Sequence, residues 1–260
     1  MTGWTKRAAA AVALVGATAI PAGLAAQSRC EFRDEIDLSG PAVGTLDIDA
    51  GAGRLNITGS GDIGGIRVMA VLCASDRDRL EGLGVSLDGD RLQTEYPGRI
   101  GGWGNNYARI DLTVEVPAGM GIRVEDSSGS LEIVGVGDVE VRDGSGSMSL
   151  REVGSVSVVD GSGGLRIADV TGDVDLEDGS GSMEIRGVSG DVTISDGSGS
   201  IRVESVGGTV RIDEVGSGGV SVRDVDGDLV VTDGRRERIR YSDIRGTLDL
   251  PPARRRGRGS

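Results

Sequence analysis

From Val124 to Leu250 one short phrase is written again and again: an Asp-Gly-Ser-Gly-Ser corner, an apolar-x-apolar triplet, a lone Val, a Gly-Asp turn and a second triplet. The corner reads DSSGS at Asp126, DGSGS at Asp143, DGSGG at Asp160, DGSGS at Asp178 and DGSGS at Asp196. The apolar positions follow in step, Leu131, Ile133, Val136, Val139 and Val141 in one unit and Met148, Leu150, Val153, Val156 and Val158 in the next. The period is 17 residues early, 18 in the middle and 19 at the end, and every added residue falls in a turn. Val136-Gly-Asp-Val139 becomes Val170-Thr-Gly-Asp-Val174, while the triplets keep their length.

A chain with rigid triplets and elastic corners needs registered strands. Alternation puts the two apolar side chains of a triplet on one face and its middle residue on the other. A helix is excluded by that spacing and by a Gly at almost every corner. A meander of three-residue hairpins would bury little and expose many edges. A coil that returns once per repeat stacks like on like, with rungs about 4.8 Å apart. The sequence therefore predicts an all-β fold, a parallel β-solenoid with 17–19 residues per coil, roughly 34 Å long over its regular units.

The outward positions agree. The middle residues of the first triplet run Glu132, Ser149, Arg166, Glu184, Arg202, Ser221, and the position after that triplet includes Arg186, Glu204 and Arg223. Neighbouring coils thus alternate in sign or fall on a neutral Ser. Facing pairs of opposite sign contribute about 0.2 to 1 kcal/mol each.

The remainder divides simply. Residues 1–26 read as a secretory signal: Lys6 and Arg7, an apolar run from Ala8 to Ile20, Pro21, and small residues with cleavage near Ala25 or Ala26. Residues 27–250 form one solenoid domain, with irregular coils and a cap over 27–109 and regular repeats over 110–250. Leu46 and Ile48, Leu55 and Ile57, then Ile66 and Val68 recur as a looser version of the repeat, and Ile110 to Val116 alternates up to Pro117. Residues 251–260 are an Arg-rich tail, expected to be disordered. The two cysteines, Cys30 and Cys73, both follow the signal, and in an oxidising compartment they make one disulfide.

Leu112-Thr-Val-Glu-Val-Pro117-Ala-Gly119, followed by Ile122-Arg-Val-Glu-Asp-Ser-Ser-Gly129-Ser-Leu-Glu-Ile133, resembles the bacterial putative-adhesin family of β-strand-repeat proteins, a domain of unknown function found mostly in exported proteins. The resemblance covers roughly Leu46 to Leu250 and implies a surface role, with no established active site to carry over.

Chemistry is thinly represented. There is no His, and the single Lys lies in the signal, so Ser-His-Asp, Cys-His and Ser-Lys arrangements are excluded. Gly-Ser-Gly-Ser opens a strand and lacks a phosphate loop's Lys. Paired carboxylates are the remaining catalytic route, as in a glycan-active enzyme, and that route needs a walled cleft these minimal turns do not promise. Stacked coils would place Asp143, Asp160, Asp178 and Asp196 in a column of like charge, extended by Asp126. Two readings fit: an Asx-turn, each carboxylate accepting amides of its own corner, or a row of calcium ions. No other cofactor is expected. Tyr96, Trp103, Asn105, Asn106 and Tyr107 gather most of the mature chain's rings in one loop, either as an end cap or as a glycan-binding patch.

Net charge is −13, and about −19 over residues 27–250 once signal and tail are set aside, which disfavours nucleic acid and anionic lipid as main partners. The expectation is an exported, periplasmic or cell-surface, non-enzymatic scaffold or adhesin with no transmembrane segment after signal cleavage. Its partners would be a surface or glycan ligand, or further copies met through the solenoid ends. The alternative is a calcium-stabilised or glycan-binding module.

Overall fold

The computed structural model describes residues 30–98 and 106–252. Seven strands make up the N-terminal part: β1 (Phe32–Pro41), β2 (Thr45–Ser60), β3 (Gly65–Ala74), β4 (Gly84–Asp88), β5 (Arg91–Glu95), β6 (Ala108–Pro117) and β7 (Gly121–Val134). A short helix, α1 (Arg77–Glu81), capped by the Asp76 carboxylate on the Arg79 amide at 2.9 Å, follows β3. The repeats supply β8 (Val139–Asp143), β9 (Gly146–Val153), β10 (Val156–Asp160), β11 (Gly163–Val170), β12 (Val174–Asp178), β13 (Gly181–Val188), β14 (Val192–Asp196), β15 (Gly199–Val206), β16 (Val210–Val215), β17 (Val220–Val225), β18 (Leu229–Val231), β19 (Ile239–Ile244) and β20 (Leu248–Asp249).

The repeats form a parallel β-solenoid of seven coils from Gly121 to Ile244. Like residues sit over like: Val139, Val156, Val174, Val192 and Val210 share one column, and Ile133, Leu150, Ile167, Ile185 and Val203 another. Their side chains are all 3 % exposed or less, because period-2 alternation turns every triplet inward and the next coil covers it. One continuous apolar cluster runs from Leu46 to Ile239. Outside, the expected charge ladders form the ion pairs Arg223 to Glu204 at 2.7 Å and Arg166 to Glu184 at 3.9 Å, and a diagonal pair between columns joins Arg151 to Glu132 at 3.4 Å.

The N-terminal part departs from a succession of loose coils. Leu46, Ile48, Leu55 and Ile57 belong to a single coil, β2, which bends once and lies parallel on β7 from Thr45↔Gly121 to Thr58↔Val134. The 60-odd residues between them in sequence are an excursion. Ile66 and Val68 lie on β3, which runs antiparallel to both β1 and β6, and β4 with β5 is an antiparallel hairpin laid on β2. The spacing of apolar pairs could not separate these cases, since a hairpin and a coil both alternate with period 2. The Cys30–Cys73 disulfide joins the start of β1 to β3 across 43 residues, a closure worth about 4 kcal/mol in the chain-entropy model.

Two backbone columns set the corners. Gly129, Gly146, Gly163 and Gly181 have φ between +140° and +155°, and a Cβ on any of them would lie 2.0 Å or less from the carbonyl oxygen of the glycine one coil earlier. Side chains are therefore barred from this column by the neighbouring coil's backbone. At the opposite bend Gly135, Glu152, Asp169, Gly187, Ser205, Asp224 and Asp243 all adopt φ between +54° and +74°. The left-handed conformation costs a non-glycine residue about 1 to 2 kcal/mol, which coil stacking offsets.

Three substitutions follow directly. Gly163→Ala should destabilise the protein by more than the roughly 1 to 3 kcal/mol usual for overpacking, since the obstacle is backbone, whereas Gly164→Ala, whose Cβ meets only the Ser182 hydroxyl at 4.0 Å, should be tolerated. Glu152→Gly should raise the melting temperature by relieving about 1 kcal/mol of strain. Thermal melts of the three variants decide both points.

Candidate functional site

Asp126, Asp143, Asp160, Asp178 and Asp196 occupy successive rungs, and the last four are at most 8 % exposed. They continue the inward parity of their strands: after Val139 and Val141 the next inward position is Asp143. The corner begins there, so a carboxylate stands where a coil interior gives way to unpaired turn amides. Each Oδ1 accepts the amide two residues on, Ser145 at 3.2 Å, Ser162 at 3.2 Å, Ser180 at 3.1 Å and Ser198 at 3.0 Å. That is the geometry of an Asx-turn. Among the described residues no group of three or more His, Cys, Asp or Glu is placed to hold a metal ion.

Burial is the main cause that raises all five carboxyls above the ordinary range, with the next Asp in the column adding to it at Asp126, Asp143 and Asp178. Asp126 and Asp178 are both pushed up to about 6. The column ends at Asp196, whose Oδ2 is buried with no hydrogen-bond partner. Beyond it a bulge replaces the next Asp with Val215, so Asp196 has a carboxylate on one side and an aliphatic side chain on the other.

A second acidic column does different work. Asp138, Asp173, Asp191 and Asp228 each accept a backbone amide of the following coil, from Ser155, Asp191, Thr209 and Thr247, at 2.7 to 2.8 Å. These carboxylates staple coil to coil. The Thr247 amide holds Asp228 below the usual carboxylate range. Around this column lies the shallow groove of Gly44, Arg123, Asp138, Ser155 and Asp173, about 550 Å³ in volume. Arg123 crosses it, bonded to Asp47 at 2.8 Å and Glu140 at 2.9 Å.

The aromatic loop is divided. Trp103 and Asn105 lie outside the described residues. Tyr96 donates to the Ala52 carbonyl at 2.7 Å and packs over Gly51, and burial drives its hydroxyl up to about 12. Tyr107 accepts the Glu31 amide at 3.1 Å, while its carbonyl takes the Ser75 amide at 3.0 Å. Asn106 is exposed. The two rings thus fasten different neighbours, Tyr96 the first coil and Tyr107 the N-terminal strands. Among the described residues the N-terminal end is covered by β1, β3, β6, the β4–β5 hairpin and α1. A groove of about 370 Å³ on the outer face of β1, β3 and β6 went unread in the sequence; it is lined by Leu38, Arg67, Met69, Thr113 and Glu115. Met69, 52 % exposed at an outward position of β3, was the available signal.

The Toastrack DUF4097 family model matches residues 46–243. No curated protein sequence matches the chain. Among solved structures, a putative adhesin from Parabacteroides merdae is 13 % identical with a TM-score of 0.52, over 85 % of this chain and 97 % of that one. A putative lipid binding protein from Parabacteroides distasonis is 13 % identical with a TM-score of 0.54, over 84 % and 94 %. At that identity the likeness is one of fold.

The raised carboxyls fix the sign of the pH dependence. A folded-state value near 6 against 3.8 unfolded means the folded chain binds protons more tightly, so this contribution is complete below about 3.8 and is lost as pH rises through about 6. Asp228 and Asp76, both lowered, act oppositely, and their contribution is lost only as the pH falls below the ordinary carboxylate range. Melting temperature should therefore peak near pH 5 and decline toward pH 7.5. Asp178→Asn, which keeps the Oδ1 acceptor, should stabilise the protein by about 1 to 3 kcal/mol at pH 7.5 and have little effect at pH 4.5. A decline that survives in Asp126→Asn/Asp178→Asn would assign it to other groups.

Proposed function

The chain belongs to the Toastrack DUF4097 family, and from that premise we propose that it is an exported, non-enzymatic scaffold or adhesin of the bacterial periplasm or cell surface. The observation that carries this reading is the shaft itself. Seven coils with corners of a few residues place their variable side chains outward in ladders, and the groove beside Asp138 is shallow, with its Arg123 already paired. Such a body holds other things at fixed spacing; it does not close around a small substrate.

The buried carboxylates, raised by burial above the ordinary range, are spent on their own corners and sit inside the coil wall. Export is supported by the Lys6-Arg7 and Ala8–Ile20 pattern and by the Cys30–Cys73 disulfide, a linkage that persists in oxidising compartments. No helix among the described residues is long and apolar enough to cross a membrane. An adhesive role accords with the description of the Parabacteroides merdae relative, and a glycan ligand is the second reading, favoured by the open groove beside Met69.

Fractionation tests the proposal. Produced from its full gene in a Gram-negative host, the chain should appear outside the cytoplasm, begin near Gln27 and carry Cys30 and Cys73 oxidised. An unprocessed, reduced chain confined to the cytoplasm overturns it. Retention on polysaccharide resin that is lost in Met69→Glu would favour the glycan reading.

A further inference from the structure

The two ends of the solenoid are unlike. At the C-terminal end no described residue lies above the last coil: Tyr241 is 37 % exposed and Leu248 is 46 % exposed, where their counterparts one coil earlier, Val222 and Leu229, are fully buried. Among the described residues the outer backbone edges of β19 and β20 are unpaired, each strand bonding to one neighbour, β17 and β18 respectively. The tail after Leu250, Pro-Pro-Ala-Arg-Arg-Arg-Gly-Arg-Gly-Ser, brings no large apolar side chain to cover Tyr241 and Leu248.

At the N-terminal end the free edges among the described residues are β1, bonded to β3, and β4, bonded to β5. These strands present partly covered apolar residues, Ile36 and Leu38 on β1 with Val85 and Leu87 on β4. Strand direction matches across the two ends. β1 is antiparallel to β3, β3 is antiparallel to β6, and β6 runs parallel to every later strand of that face, so β1 and β19 point the same way. A second copy shifted along the solenoid axis would bring β19 against β1 as one more parallel rung.

Charge is divided between the same two ends. Residues 234–252 hold five arginines against three acidic residues, whereas residues 30–41, which include β1, hold one arginine against four. Arg235, Arg236, Arg238, Arg240 and Arg245 crowd the last coil, and neither Arg235 nor Arg240 has an ionic partner among the described residues. The edge strand β1 and the residue before it read Glu31, Arg33, Asp34, Glu35 and Asp37, with Asp34 and Asp37 likewise outside any ion pair among the described residues. Charge on an edge strand deters pairing with its own kind and admits a partner of opposite sign.

We propose that the protein assembles head to tail with further copies of itself, the basic, uncovered β19–β20 end of one copy docking on the acidic β1–β4 end of the next. The contact is heterologous, so it propagates into a filament rather than closing as a pair. It extends the scaffold reading by naming the partner, and export can fail or hold independently of it.

The test uses the full chain, measured by light scattering and sedimentation. At low ionic strength, about 0.01 M, mass should grow with concentration in whole-chain steps, and at about 1 M, where screening falls to about 3 Å, the species should return to a single chain. Asp34→Arg/Asp37→Arg at one end, or Arg235→Glu/Arg240→Glu at the other, should each weaken assembly at least about tenfold. Mixed together, the two variants should grow again as an alternating assembly, because intact ends meet intact ends and reversed ends meet reversed ends of opposite sign, and all four changes in one chain should likewise restore growth. A chain that stays single at low salt at every concentration overturns the proposal. So does pairing that survives Asp34→Arg/Asp37→Arg, which would place two C-terminal ends face to face. The salt titration of the unaltered chain needs no variant, and thermal melts confirm that each variant is folded.

Discussion

The parallel backbone contact between one coil and the next is the constraint on which everything else rests. At the Gly129–Gly146–Gly163–Gly181 column the approach is so close that a carbonyl oxygen occupies the space a Cβ would need. Once those backbones are in register, every other column is determined: Val over Val inside, Arg beside Glu outside, and Asp over Asp at the corner. A single slipped residue would turn the whole apolar set outward.

That register carries its own electrostatic penalty. Repetition places five carboxyls in one column, and the structure offsets the repulsion by giving each a turn amide and by letting burial hold the proton. The second column, Asp138 to Asp228, avoids the conflict by spending each carboxylate on the next coil's backbone. Two acidic series that look alike in sequence therefore have different roles, one closing a corner within a coil and one binding coils together. The difference lies in parity. Asp143 falls on an inward position, and Asp138 on the outer side of a turn.

The ends show what a repeat cannot encode about itself. Interior coils are interchangeable, so their sequence is uniform, but a terminal coil lacks one neighbour and must be covered, charged or matched. The N-terminal end is covered by an excursion of strands that leaves the stack after β2 and rejoins it at β7. At the C-terminal end no described residue covers the last coil, with Tyr241 and Leu248 half in solvent and arginines around them. This asymmetry gives the solenoid a direction.

The architecture was legible because the 17–19-residue period, the alternating triplets and the Gly-Ser corners all require one strand to return above the last. The inward residues, the outward charge ladders and the cysteine pairing could be named from sequence for the same reason: each depends on local parity or on a choice of one. Three features could not. That β2 stacks on β7 while β3 turns antiparallel depends on pairing between segments more than 60 residues apart, and alternation is the same for either partner. The left-handed bend at Glu152, Asp169 and Ser205 has no consistent residue type, since stacking enforces it against their preference. Nor could composition separate the two aspartate columns, or place Tyr96 and Tyr107 on different neighbours, because which amide or carbonyl a side chain meets is decided by the coil lying next to it in space.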